Sequence, residues 1–214
     1  MEKTKAFPGA GSGAGALVPI GQLMNLYLLC ENRGGGEEAL VVIDQHAAHE
    51  RLVFETLKKQ VAAQRVASQS LLFPQLINLT LDQIQVLRKH RQEVERLGID
   101  MEEFGDESYI IKAVPAILAH LAPEEIMETV IGQFQGSEQQ PVGRAMNTAA
   151  RIDAILAAMA CKAAVKAGRS LALEEMEELL NRMRAADVFS HCPHGRPVFK
   201  TFTAAEVRKW FYRT

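Results

Sequence analysis

Apolar and polar positions along the chain form two kinds of pattern, short apolar runs typical of strands and 3.6-residue spacings typical of helices. An apolar stretch at 22–31 and a β-branched run at 39–43 flank a glycine-rich turn, and together they predict a β-hairpin. Asp44 closes the second strand. A helix with apolar residues at helical spacing is predicted from about residue 47 to residue 63.

The rest of the chain continues this mixture of elements. In chain order, the pattern predicts a strand-like run over 68–80 interrupted at Pro74, an amphipathic helix from the cap residue Thr80 to Gly98, a strand pair over 99–104 and 108–114, short helical segments after Pro115 and Pro123, helices over 144–167 and 173–186, a strand after the Cys/His/Pro/Gly loop, and a closing helix over 204–212. No internal repeat or nucleotide-binding loop is present.

Composition excludes several classes of protein. The chain has 214 residues, 48% hydrophobic and 23% charged, which suits one large or two small globular domains. A formal net charge of -2 predicts weak intrinsic affinity for any nucleic acid. Three dispersed cysteines indicate a reducing compartment, and no apolar run is long enough to predict a membrane span. Residues 1–16 are rich in Gly, Ala and Pro and are predicted to be a linker remnant.

The first candidate site lies where the second strand passes into the helix. Asp44 ends the strand, and His46 and Glu50, four residues apart, lie on one face of the helix. Two carboxylates and an imidazole in this arrangement form a plausible site for a divalent metal. The alternative is an ordinary helix start, with Asp44 near the cap and with His49 and Glu50 in solvent. The residues alone leave both interpretations open.

The second candidate site is the segment Cys-Pro-His-Gly-Arg-Pro at 192–197. Cys192 and His194 lie two residues apart in an extended loop and can both point at one metal ion. They supply only two ligands where zinc needs about four, and His46 and Glu50 are candidates for the others. The alternative is a rigid turn around a buried cysteine.

A third short segment, Ala-Cys-Lys, ends the alanine-rich helix. Burial as a helix-packing residue is the favoured interpretation of Cys161, because unpaired cysteines are often buried. If Cys161 faces the metal, it becomes a further ligand or a neighbouring thiol. Lys162 and Arg196 would then offset the charge of a phosphate.

The segment Gln-Ser-Leu-Leu-Phe-Pro at 69–74 has a different character. A glutamine followed by Leu71, Leu72 and Phe73 makes poor packing at the edge of a domain but a good short binding motif. The alternative is an ordinary buried strand.

Taken together, these segments carry a resemblance to a known family. Residues 44–55 fit the pattern DQHA-x2-E-x4-E at every specified position, namely Asp44, Gln45, His46, Ala47, Glu50 and Glu55. Residues 160–162, 192–197 and the terminal F-x-R that ends at Arg213 fit three further motifs in the same order. The chain thus resembles the C-terminal domain of MutL, the DNA mismatch-repair protein, in its endonuclease-bearing form. Gln69, Leu71, Leu72, Phe73 and Pro74 resemble that family's sliding-clamp-binding motif.

The resemblance implies an α+β fold with two subdomains. Residues 17–67 and 160–214 would form a dimerisation subdomain that carries the metal site. Residues 68–159 would be inserted into it as an external regulatory subdomain. This arrangement would bring segments from the two ends of the chain together.

The resemblance also implies an activity, the nicking of one strand of duplex DNA. Asp44, His46 and Glu50 would be catalytic and bind Mn²⁺ or Mg²⁺, and Glu50, Cys192 and His194 would bind a structural or regulatory Zn²⁺, with Cys161 as an additional ligand. The supporting residues would be Gln45, Glu55, Lys162, Arg196 and Arg213. Glu55 is placed in a scaffold role because it lies about 140° around the helix from Glu50.

The implied partners are a second copy of the chain, weakly bound duplex DNA, the polymerase sliding clamp and, through the full-length protein, the mismatch-recognition protein MutS. The expected location is the bacterial cytoplasm, at the nucleoid, with no membrane contact. The alternative function is a non-catalytic dimerisation and clamp-binding module with a structural zinc site. The oxygen donors Asp44 and Glu50 favour the enzyme, because structural zinc sites favour Cys and His.

Overall fold

The computed structural model describes residues 17–33, 38–105, 107–138, 147–164, 169–188, 193 and 195–212. The chain divides into two compact units, the first comprising Met1–Leu52 with Ala164–Thr214 and the second Val53–Ala163. The first boundary therefore lies inside a helix rather than at 67/68. Mixed helices and sheets confirm the α+β class. The dimerising and regulatory roles of the two parts stay predictions.

The secondary structure elements, in chain order, are β1 (Leu17–Leu23), β2 (Tyr27–Asn32), β3 (Ala39–Asp44), α1 (Gln45–Ala62), β4 (Ser68–Asn78), α2 (Leu81–Lys89), α3 (Arg91–Arg96), β5 (Asp100–Glu103), β6 (Ser108–Pro115), a 3-10 turn (Ala116–Leu118), α4 (Pro123–Glu138), α5 (Thr148–Ala163), α6 (Leu173–Ala186), β7 (Phe199–Thr203) and α7 (Ala204–Trp210). No helix in the described part of the chain has the length and apolar character needed to cross a membrane.

The first unit contains an antiparallel sheet of order β1-β2-β3-β7. The single strand predicted over 22–31 is wrong, because the chain turns back at Met24 and Asn25, whose φ angles are 56° and 53°. The inward side chains of the sheet, such as Leu28 and Ile43, pack with Leu180 and other residues of α6. Burial of Cys30 in this core raises the pKa of its thiol to about 12.

The second unit contains an antiparallel sheet of order β4-β6-β5 whose core includes residues of α2, α4 and α5. Thr80 caps α2 with a reciprocal bond to Gln83, as predicted. The single helix predicted from Thr80 to Gly98 is wrong, because it breaks into α2 and α3 at His90. The buried His90 ring stacks on Phe134, with 4.3 Å between the ring centroids. Packing in the core thus overrides the continuous helical pattern.

Candidate functional site

Asp44 lies at the junction between β3 and α1. Its backbone N–H donates to the Val198 carbonyl at 2.8 Å, and its Oδ1 accepts from the Ala47 N–H at 2.9 Å. The carboxylate therefore satisfies a donor that the helix start leaves without an intrahelical partner. The alternative of an ordinary helix start is therefore correct for Asp44, which does act near the cap. A carboxylate has about four acceptor positions, so this bond leaves others for a ligand.

Glu50 is the most deeply buried charged side chain of this site, with 0% of its surface exposed. His46 Nε2 lies 3.2 Å from its Oε1, and Arg196 Nη2 lies 3.2 and 3.1 Å from its two oxygens. A buried carboxylate is costly unless it is paired, and these two groups offset that cost. The alternative that places Glu50 in solvent is wrong.

Gln45 is 3% exposed, and a neighbour that the sequence did not reveal holds it. Gln22 Nε2 donates to Gln45 Oε1 at 2.7 Å, and Gln22 Oε1 accepts from the Leu171 N–H at 2.8 Å. Gln22 thereby ties the first residue of α1 to β1 and to the segment before α6. In the sequence, the feature that could have indicated this role is that Gln22 is a lone side-chain amide within a largely apolar strand.

His49 is half-buried rather than solvated. Burial lowers the pKa of its imidazole, although a backbone hydrogen bond at Gln45 opposes the shift, and the nearby positive charge of Arg182 lowers the pKa further. The imidazole is therefore neutral at pH 7.

A cleft of about 350 Å³ lies beside Asp44. Tyr27, Val42 and Phe202 form apolar walls, and Asp44 and Arg196 supply charge at the same cleft. The cleft gives a reactant from solvent a route to Asp44.

Several predicted site residues are not tested here. Cys192, His194 and Arg213 lie outside the described residues. Among the described residues, no group of three or more His, Cys, Asp or Glu side chains is arranged to hold a metal ion. Asp44, His46 and Glu50 are described and do not form such a group in this structure, so their role as a shared ligand set stays a prediction, as does that of Cys192 and His194.

Cys161, Lys162 and Glu55 belong to the second unit. Cys161 and Lys162 are exposed near the end of α5, whereas Ala160 is fully buried. The favoured interpretation of Cys161 as a packing residue is wrong. Its role as a metal ligand stays a prediction.

The donor chemistry of Asp44, His46 and Glu50 fits a divalent ion, since carboxylates suit Mg²⁺ and Mn²⁺ and imidazole suits zinc. For Glu50 to bind an ion, Arg196 must first turn away from it. Arg196 occupies both Glu50 oxygens and is 54% exposed, so its guanidinium has room to turn toward solvent.

The segment 69–74 lies within β4, where the pairing with β6 shifts register between Ser70 and Gln75. Leu72 and Phe73 are 89% and 80% exposed, and only Leu71 packs partly against the core. The alternative of an ordinary buried strand is wrong. Two large apolar side chains in solvent at a strand irregularity form a ready docking element.

Comparison with known proteins shows which family the chain matches. Residues 20–171 match the family model described as MutL C terminal dimerisation domain. The DNA mismatch repair protein MutL of Geobacter sulfurreducens is 40% identical over 198 residues, 92% of this chain and 31% of that protein. MutL of Geotalea daltonii is 38% identical (91% and 31%), and MutL of Anaeromyxobacter dehalogenans is 38% identical (94% and 33%). The chain spans about a third of the length of these curated relatives.

Proposed function

The chain belongs to the MutL C-terminal dimerisation domain family, and from that premise we propose that it is a metal-dependent endonuclease domain that nicks duplex DNA. The observation that carries the proposal is the fully buried Glu50, held between Arg196 and His46, which lies one helical turn before it. Its partner Arg196 lines the cleft beside Asp44, so the carboxylate of Glu50 becomes available to a ligand when this guanidinium turns away.

Asp44, His46 and Glu50 would hold the catalytic divalent ion, and Glu50, Cys192 and His194 would hold zinc. A divalent ion bound there would lower the pKa of a coordinated water and would neutralise charge on the scissile phosphate. The protein's own contribution is orientation. Gln22 and the Ala47 N–H fix the start of α1, and Arg196, once turned from Glu50, can pair with a phosphate oxygen.

The test is nicking of supercoiled plasmid with Mn²⁺ by the parent chain and by Asp44→Asn. The substitution removes charge while keeping size, and the loss of a ligand should cost at least the roughly 10–100-fold known for outer-shell partners. A matched control is Asp153→Asn, which removes a carboxylate from an exposed ion pair with Lys58. Equal nicking by all three proteins contradicts the assigned site. Absence of nicking in all three proteins would favour the non-catalytic module with structural zinc.

We also propose that the exposed segment from Gln69 to Pro74 docks on the polymerase sliding clamp and delivers the chain to DNA. The support is the exposure of Leu72 and Phe73 together with the motif pattern. The near-neutral charge of the chain is consistent with such delivery, because strong intrinsic DNA binding is not expected from it. Contact with MutS would come through the full-length protein, at the nucleoid.

Alanine at Gln69 and Leu72 should abolish stimulation of nicking by the clamp and leave basal nicking unchanged. Leu76→Ala is the control, because Leu76 is also exposed on β4 but lies outside the motif. Loss of basal and stimulated nicking together contradicts this role.

The outward face of the sheet in the first unit supports dimerisation. An antiparallel sheet with one solvated face alternates apolar and polar residues. Here two pairs of opposite outward positions are apolar, Leu29 with Val42 and Leu40 with Phe202, while Glu31 and Lys200 lie on the same face. We propose that a second copy of the chain covers the part of this face around Leu40 and leaves the cleft beside Asp44 open.

Leu40→Glu should convert the dimer to a monomer in size-exclusion chromatography with light scattering. Leu76→Glu, on the sheet of the second unit, is the matched control and should leave the mass unchanged. A dimer that survives Leu40→Glu contradicts the assigned face.

A further inference from the structure

A polar cleft of about 250 Å³ lies in the second unit, where the loop after α1 meets the turn after α3. Arg65 and Arg96 line it from these two segments, and both are exposed. Within the part of the chain that the structure describes, neither guanidinium has a hydrogen-bond or ion-pair partner. The two guanidinium groups therefore bring positive charge to one cleft.

The walls of the cleft are fixed by close backbone contact. Ser68 Oγ donates to the Gly98 carbonyl at 2.8 Å. Gly98 has a φ of 84°, and a Cβ there would lie 2.6 Å from Val66 Cγ1, so only glycine allows this approach. The segments that carry Arg65 and Arg96 are therefore held at a constant separation before any ligand arrives.

The one acidic residue at the cleft does not cancel this charge. Glu95 lines the cleft, but its carboxylate accepts from Arg91 Nε at 2.9 Å. The cleft as a whole is therefore suited to an anion. Planar guanidinium groups match the geometry of phosphate oxygens, and a fixed pair can hold two oxygens or two adjacent phosphates.

We propose that Arg65 and Arg96 bind the phosphodiester backbone of duplex DNA. The inference rests on the proposed function, which makes DNA the substrate. The inference is also supported by the short distance in sequence between the cleft and the proposed clamp-binding segment. Ser68 lines the cleft and begins β4, and the clamp-binding segment begins at the next residue. A chain docked through that segment on a ring that encircles DNA would hold the arginine pair close to the duplex.

The test is the salt dependence of binding to a short labelled duplex, measured by fluorescence anisotropy in EDTA without clamp. Arg65→Gln with Arg96→Gln should lower the slope of log affinity against log salt by about 1.8, because each phosphate contact contributes about 0.9. Arg65→Lys with Arg96→Lys keeps both charges and should retain the slope. Urea midpoints equal to that of the parent chain exclude misfolding.

The matched control is Arg88→Gln with Lys112→Gln, which removes two positive charges from the same unit where they pair with Glu103 and Glu102. An equal fall in both double variants overturns the proposal, because net charge alone would then explain it. An unchanged slope in the first double variant also overturns it. Weaker clamp binding with unchanged DNA binding would assign the cleft to an acidic protein surface instead. Binding in EDTA is independent of nicking, so failure here leaves the Asp44→Asn test unaffected.

Discussion

Each unit of the chain holds a glutamate between a histidine of a neighbouring helical position and an arginine distant in sequence. In the first unit, Glu50 lies between His46 and Arg196. In the second, Glu93 lies 3.1 Å from His90 Nδ1 and accepts from Arg151 Nη2 at 2.7 and 2.9 Å. The residue types are the same, but the surroundings are not.

The network in the second unit is closed. His90, Glu93 and Arg151 are 6%, 18% and 17% exposed, and Arg151 also lies over the ring of Phe134. In the first unit, Arg196 is 54% exposed, its contacts are longer and a cleft opens beside it. A carboxylate whose partners can move aside suits ligand binding, whereas one held by short buried bonds suits stability.

The largest expected effect on stability comes from breaking the closed network. Arg151→Met should lower the free energy of unfolding by about 3 kcal/mol, at the lower end for breaking a buried pair, because Glu93 is 18% exposed and loses its main partner. Urea denaturation followed by circular dichroism measures the change. Lys58→Met is the control, since its ion pair with Asp153 is exposed and should contribute under about 1 kcal/mol. Similar losses in both variants would contradict the structural role of Glu93.

A smaller effect is expected at the open network. Arg196→Met should cost about 1–2 kcal/mol without metal, because Arg196 is half exposed and its contacts to Glu50 are long, at 3.1 and 3.2 Å. Saturating Mn²⁺ should restore that stability, since a ligand at about 100 times its Kd stabilises by about 2.7 kcal/mol. The Arg151→Met variant should gain no more from Mn²⁺ than the parent chain does. Rescue of both variants, or of neither, would remove the distinction between the two networks.

The smallest effect is a pH dependence. Burial raises the pKa of Glu93, but hydrogen bonds from Arg151 and His90 outweigh it and hold the pKa below the usual 4.5. The unfolded chain therefore binds the proton more readily, and this stabilisation is complete above pH 4.5 and is lost as pH falls through the folded-state pKa. Urea midpoints measured across that range should fall less steeply for Glu93→Gln. Parallel curves would show that Glu93 does not contribute the slope.

Local rules predicted much of the fold. A β-branched run ended by Asp44 predicted the strand-to-helix junction, and Thr80 predicted the start of a capped helix, because both signals lie within a few adjacent residues. The helix over 173–186 was predicted at its observed bounds because its apolar spacing is regular.

Features that depend on distant partners were missed. The turn at Met24 and Asn25 uses positive φ angles without glycine, inside an apolar run that reads as one strand. The break at His90 follows from stacking on Phe134, more than forty positions away in the chain. Gln22 acts through bonds to residues of other elements. At the candidate site, the sequence predicted the partners of Glu50 as ligands and a supporting group, but not its complete burial.

The two glutamates are expected to differ in one respect, in that Glu50 binds a divalent ion and Glu93 does not. Titration of Mn²⁺ followed by the electron paramagnetic resonance signal of the free ion measures binding directly in the parent chain, Glu50→Gln and Glu93→Gln. We expect at least about tenfold weaker binding for Glu50→Gln and parent-like binding for Glu93→Gln. Equal binding by all three proteins, or a loss confined to Glu93→Gln, would contradict this expectation.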